Sequence, residues 1–201
     1  MSVTLSAVIS HELTPAEVAD LWRTIDCENA PQLAAAVFAL NSVLWSNHDE
    51  LNTAYRWEPD PVGATAAKVQ ALWQTRSDIM HLQNASGIWL DLGAQQCEIA
   101  LNVLWRWFLT DANIRVAVRG VATEVARLFG AKHIVYLPDS QLPVSRAQNF
   151  VYSGESFETM TEWLRHNSEE GDLTQLPRME SQEGLKLWEG RYYSERLVAT
   201  S

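Results

Sequence analysis

The chain has no uninterrupted apolar run long enough to cross a bilayer, and residues 1–5 (MSVTL) carry no Lys or Arg. Neither a membrane span nor an export signal is therefore expected, and a cytoplasmic location follows as the expectation. Cysteine is scarce: Cys27 and Cys97 are isolated, too few for a disulfide framework, and each is expected as a small half-buried apolar residue. The five histidines, His11, His48, His81, His133 and His166, each stand alone, and His11-Glu12 lacks the second histidine a zinc-protease helix needs. His48-Asp49 is a neighbouring pair in a loop, where adjacent side chains seldom converge, so no metal and no other cofactor is expected. The nine glycines are scattered singly, which excludes a phosphate-cradling loop, and no G-x-S-x-G elbow occurs. Basic charge is also short, with 15 Lys and Arg against 25 Asp and Glu for a net charge of −10. Without a basic stripe, neither nucleic acid nor an anionic membrane is an expected partner.

Hydrophobic residues make up 47% of the 201, and nine tryptophans are spread along the chain. That composition belongs to a folded protein, and with no Gly/Ser- or Pro-rich linker the expectation is one globular domain over 1–201. Charge is uneven. Residues 1–62 hold nine acids against Arg23 and Arg56, residues 63–150 hold six acids and eight bases, and residues 151–201 hold ten acids and five bases. Both ends are acidic and the middle is not, a distribution that steers toward a basic partner.

The middle also carries the clearest structural signals. Residues 99–109 (IALNVLWRWFL) are apolar on both faces when read with period two, which predicts a central strand covered on both sides. Asp111 is placed to cap a helix whose inward row is Ile114, Val118, Val121, Val125 and Leu128, and Gly130 to close it. Residues 133–137 (HIVYL) predict the returning strand, with a turn at Pro138-Asp139-Ser140. Before this, residues 3–10 alternate as a strand. Thr14-Pro15-Ala16-Glu17 reads as a capping box opening a helix to about Ile25, with Leu13 stapling onto Val18. Residues 32–45 predict a second helix, whose end at Val43-Leu44-Trp45 also suits an extended piece. A polar loop is expected at 46–50, a short strand at 53–57 stopped by Glu58-Pro59-Asp60-Pro61, and a third helix at 62–82. Residues 88–92 and the strand from Ile99 predict a hairpin around Gly93. Beyond Ser140 the expectations are a loop at 142–148, an edge strand at 149–153, a helix capped by Ser156, a solvated run at 167–172, and a last strand around Trp188, Tyr192 and Tyr193. The sum is an α+β fold: a single domain with a mainly antiparallel sheet of about five strands packed with four to five helices.

Two constellations have the residue types for function. The first is acidic with aromatic anchors: Asp20, Asp26, Glu28, Asp49, Glu50, Tyr55, Trp57, Glu58 and Asp60, in which Tyr55 and Trp57 are expected to be exposed among carboxylates, as at a protein-binding surface. The second is Asp91, Arg106, His133 and Asp139, which neighbouring strands bring together for acid–base work on a small polar substrate. The simpler reading, which is preferred, is that Arg106 pairs with Asp91 inside or beside the sheet and His133 merely starts a strand. Trp105-Arg106-Trp107 has the alternation of a base-stacking segment, but its setting reads as core.

In overall character, and in the segments HIVYLPDS and GESFETMTEWLR, the chain resembles the small immunity proteins that bacteria keep against polymorphic or contact-delivered toxins. The resemblance implies a stoichiometric, non-enzymatic binder whose acidic surface covers the active site of a cognate toxin acting in the cytoplasm, a partner with a basic surface. A phage or plasmid accessory protein acting as inhibitor or scaffold uses the same binding physics. The oligomeric state is not legible.

Overall fold

The computed structural model describes residues 3–44, 56–76, 79–139, 143–176 and 190–197. In chain order these form β1 (Thr4–Ser10), α1 (Pro15–Thr24), α2 (Pro31–Leu44), β2 (Trp57–Asp60), α3 (Ala66–Thr75), β3 (Met80–Asn84), β4 (Ile88–Leu92), β5 (Gln96–Leu104), α4 (Trp105–Thr110), α5 (Ala112–Leu128) and β6 (His133–Asp139). A 3-10 helix (Pro143–Gln148), α6 (Asn149–Ser153), α7 (Phe157–Asn167), β7 (Glu170–Gly171) and β8 (Tyr192–Arg196) complete it. All strands join one mixed sheet in the order β2-β3-β4-β5-β1-β6-β8-β7, antiparallel except where β7 runs parallel to β8. The α+β class is as expected, but the sheet has eight strands rather than about five, and the described residues hold seven α-helices rather than four to five.

The centre of the sheet is β1, between β5 and β6, with Leu5, Ala7 and Ile9 on one face and Val8 on the other, all fully buried. Alternation sorts the whole sheet in this way. On one face Met80, Leu82, Leu90, Ile99, Ile134, Tyr136 and Tyr193 meet the apolar rows of α1, α2, α3, α4 and α5 in a single core. On the other, Val8, Ile79, Val135, Leu137 and Tyr192 meet Ala147, Val151, Phe157, Met160 and Leu164 from the 3-10 helix, α6 and α7. Two layers of helix thus cover opposite faces, the second only in part.

The local signals at helix ends behave as expected. The Thr14 amide donates to Glu17 Oε2 (2.7 Å) and the Glu17 amide to Thr14 Oγ1 (3.3 Å), closing the capping box reciprocally. Asp111 Oδ1 accepts from the Asn113 and Ile114 amides, and Ile114, Val118, Val121 and Val125 are buried beneath it. Leu128, predicted inward, is 41% exposed. At the far end Gly130 takes φ +70, which lets the Ala131 amide reach back to the Ala126 carbonyl (2.8 Å). The Ser156 cap and the β4–β5 hairpin also hold.

Four expectations are corrected. Residues 99–109 are not one strand: β5 ends at Leu104, where the Trp105 amide donates to the Val3 carbonyl, and α4 follows. The same letters carry a helical row, because Trp105, Phe108 and Leu109 lie three and one residues apart on one side, all buried, while Arg106, Trp107 and Thr110 face out. Buried Arg115 completes the turn by donating to the Phe108 and Leu109 carbonyls (2.8 and 3.0 Å), the orphan acceptors at the end of α4. The third helix, predicted over 62–82, covers only Ala66–Thr75; left-handed Arg76 ends it, and Met80, Leu82 and Asn84 alternate with His81 and Gln83 as β3 against β4. Glu58-Pro59-Asp60 does not stop a strand but forms one, since β2 is the outermost strand, where a proline sits with one side of its backbone unpaired. Residues 149–153 are helical rather than extended, α6 continuing from the 3-10 helix to Gly154 at φ +70. The predicted loop at 46–50, the strand start at 53–55, Trp45, Ser140 and Trp188 lie outside the described residues.

Candidate functional site

Strand register decides which side chains share the partly covered face. In an antiparallel pair, residues directly opposite point to the same side, so the pairings Asp60–His81, His81–Asp91, Asp91–Glu98 and Glu98–Val8 set one row across β2, β3, β4, β5 and β1. The adjacent row is Glu58, Gln83, Trp89, Ala100, Ser6 and Leu137. Toward β6 and β8 these rows are apolar and lie under α6 and α7. Toward β2 they are acidic and open: Glu58 and Asp60 are exposed and Trp89 is 41% exposed, with Tyr152 of α6, 40% exposed, at the border.

Inside the row, Asp91 is the hub. His81 Nδ1 lies 2.7 Å from Asp91 Oδ1, and the Tyr152 hydroxyl from α6 donates to Asp91 Oδ2 (3.3 Å). One step toward the core, Glu98 is 5% exposed; its Oε1 accepts from Ser6 Oγ and from Gln148 Nε2, each at 2.6 Å. Gln148 Nε2 also lies 3.0 Å from Ser6 Oγ. Burial pushes the Glu98 carboxyl up to about 7, the Ser6 and Gln148 hydrogen bonds opposing and the nearby Asp91 and Asp139 charges adding to the rise. Glu98 and Asp91 thus tether the 3-10 helix and α6 to the sheet, through Gln148 and Tyr152. Gly93, in the β4–β5 turn, makes the approach of α6 possible: a Cβ there would stand 2.1 Å from the Val151 carbonyl oxygen. His11 supports the same turn. Its Nδ1 accepts from the Leu13 amide, so Nε2 carries the proton donated to the Gly93 carbonyl (2.9 Å), and burial lowers its pKa toward this neutral form.

The nine residues of the acidic constellation do not form one surface. Asp20, Asp26 and Glu28 belong to α1 and the turn after it, and Asp20 pairs with exposed Arg23 (2.8 Å). Val18, Leu21 and Ile25 bury against the opposite face of the sheet, so these acids ride on the helical layer. Glu58 and Asp60 stand on the open face beside Gln83 and His81. Trp57 is corrected: it is 4% exposed, because alternation along β2 turns it into the core while its neighbour Glu58 faces out. Asp49, Glu50 and Tyr55 lie outside the described residues.

The second constellation is dispersed. His133 and Asp139 occupy opposite ends of β6, about 20 Å apart at the strand rise. Asp91 is three strands from β6, about 14 Å. Arg106 is exposed on α4, beyond the end of β5, and the partner of Asp91 is His81 instead. Sequence reasoning missed His81, Glu98, Trp89 and Tyr152. The hairpin about Gly93 carried the signal for Glu98, because once residues 88–92 pair with the strand after it, Asp91 opposes Glu98.

Among the described residues no group of three or more His, Cys, Asp or Glu is placed to hold a metal ion, and no helix is long and apolar enough to cross a membrane. Comparison of the chain with family models, with curated proteins and with solved structures finds no match.

Proposed function

We propose that this chain is a protein-binding antidote of the immunity type, which neutralises a cognate toxin acting in the cytoplasm by laying the open acidic half of its sheet over a basic surface at the toxin's active site. The observation that carries the reading is that exposed Glu58 and Asp60 share one sheet face with exposed Trp89, beyond the border that α6 makes where Tyr152 reaches Asp91. Carboxylates there attract a basic partner over distance and aromatic side chains supply the desolvated anchors on contact. Glu58, Asp60 and Trp89 stand exposed on this face, as at an interface rather than in an enclosed substrate pocket. A strand-built surface also needs little backbone ordering on binding, since the sheet ladder already holds it.

The test is co-expression with the product of the adjacent gene. A stable complex that restores growth to cells producing that protein supports the reading, and a neighbour of metabolic function with no complex sinks it. A second reading, an enzyme acting on a small polar substrate, draws on the short His81–Asp91 contact beside Glu98. It requires His81→Ala to abolish activity while leaving any protein complex intact.

A further inference from the structure

At the end of the open face away from Gly93, an open groove of about 300 Å³ is lined by Trp89, Ala100, Asn102, Thr4 and Asp139, with Gly87 at its rim. Its floor is low because Ala100 and Gly87 are small, while the flanking positions on the same face carry an indole and a carboxylate. Trp89 on β4 and Asp139 on β6 are three strand spacings and two residues along the strand apart, about 16 Å between backbones, a gap the indole partly spans from one side. Asp139 is exposed and is held in place by Thr4, whose hydroxyl donates to its Oδ2 (3.1 Å). Asn102, also exposed, adds an amide to the wall.

We propose that this groove seats one arginine side chain of the protein partner. The proposal deepens the binding reading above and rests on it. A guanidinium fits each wall for a separate reason: its plane stacks on the indole of Trp89, and its edge presents a fork of donors to the Asp139 carboxylate and the Asn102 amide oxygen. A lysine ammonium is a compact, strongly hydrated point that stacks less well and gives up more on leaving water. An anionic occupant is opposed by Asp139 and by the net charge of −10.

The test uses the whole chain and acetyl-arginine-N-methylamide as the probe, with the lysine analogue at the same ionic strength for comparison. Nitrogen–proton NMR follows the Trp89 indole signal, identified by its loss in Trp89→Phe, and the Asn102 side-chain amide. Saturable shifts of both are expected, with binding about three-fold weaker for the lysine analogue and about three-fold weaker in Asp139→Asn. Ala100→Leu, which fills the floor, is expected to abolish the shifts. Should that variant fail to fold, Asp139→Asn still decides, because it removes the charge while leaving an amide oxygen that can accept from Thr4. Absence of a saturable shift, equal binding of the two analogues, or unchanged binding in Asp139→Asn overturns the proposal. Self-association of the chain that competes with the arginine analogue overturns it too, since the occupant would then be a second copy. Loss of probe binding beside an intact toxin complex removes this inference alone, whereas probe binding with no protein partner removes the antidote reading and leaves the groove.

Discussion

Replacing Glu98 by Gln should make the protein more stable at alkaline pH and slightly less stable in acid. In the folded chain the Glu98 carboxyl titrates at about 7, against 4.5 for an ordinary glutamate, because its 5% exposure denies the carboxylate solvation. The folded state therefore keeps a proton that the unfolded state releases as pH rises from about 4.5 to about 7. Stability attributable to this group is fully present below 4.5, falls through that window and is flat above it. A difference of about 2.5 pKa units corresponds to about 3 kcal/mol lost by pH 8. The glutamine amide oxygen can still accept from Ser6 and Gln148, but its NH2 occupies the place of the second carboxylate oxygen and offsets part of the gain. The net expectation is about 1–3 kcal/mol of stabilisation at pH 8 and about 0–2 kcal/mol of destabilisation below pH 4, where only the cost of the amide remains. Urea denaturation of both proteins from pH 4 to pH 8.5 measures this directly. If the difference between the two proteins does not grow with pH, Glu98 is not a buried carboxyl held near neutrality, and the tether it makes to the 3-10 helix is misassigned.

Three further perturbations probe the frame around the site. Trp105→Ala removes a fully buried indole stacked on Phe108 (5.4 Å between ring centroids) and packed against Tyr193 (5.7 Å), and should cost about 3–5 kcal/mol by chemical denaturation. Thr14→Ala breaks the reciprocal capping box of α1 and should cost about 1 kcal/mol, with the loss of helix signal confined to that segment in hydrogen exchange. Gly93→Ala drives a methyl into the Val151 carbonyl and should force α6 away from the β4–β5 turn, costing about 1–3 kcal/mol and changing the environment of Tyr152 as read by its ring NMR signals.

Where sequence and structure agree, short-range chemistry was decisive. Thr14 with Glu17, Asp111 with its two amides, Ser156, and Gly130 each satisfy backbone groups within a few residues, so the letters alone place those helix ends. Where they diverge, two periods fit the same letters. Residues 99–109 support both a strand and a helix, and the choice was made by the Val3 carbonyl, which is distant in sequence and accepts the Trp105 amide. Residues 79–84 likewise carry a helical continuation of α3 as well as a period-two strand, and pairing with β4 decided for the strand. The acidic residues before Val62 were legible as a group but not as a surface. Helix α1 and the turn after it carry three of them on one side of the sheet and an edge strand carries Glu58 and Asp60 on the other. Trp57 shows the sharpest consequence of that two-residue alternation, since a one-position difference in register separates an interfacial anchor from a core residue. His81 was invisible because its partner Asp91 belongs to another strand, and only the β3–β4 register brings them to 2.7 Å.

The association rate with the protein partner identified by co-expression, measured at low and at high salt for two charge-reversed variants, tests the proposed binding face most directly. Glu58→Lys with Asp60→Lys reverses the open sheet face, and Asp20→Lys with Glu28→Lys makes the same change in charge on the helical side. The account predicts that the first pair slows association by about ten-fold at low salt, that the effect fades at high salt, and that the second pair changes the rate far less. Equal slowing by both pairs, or slowing by the helical pair alone, would contradict the assignment of binding to the open face of the sheet.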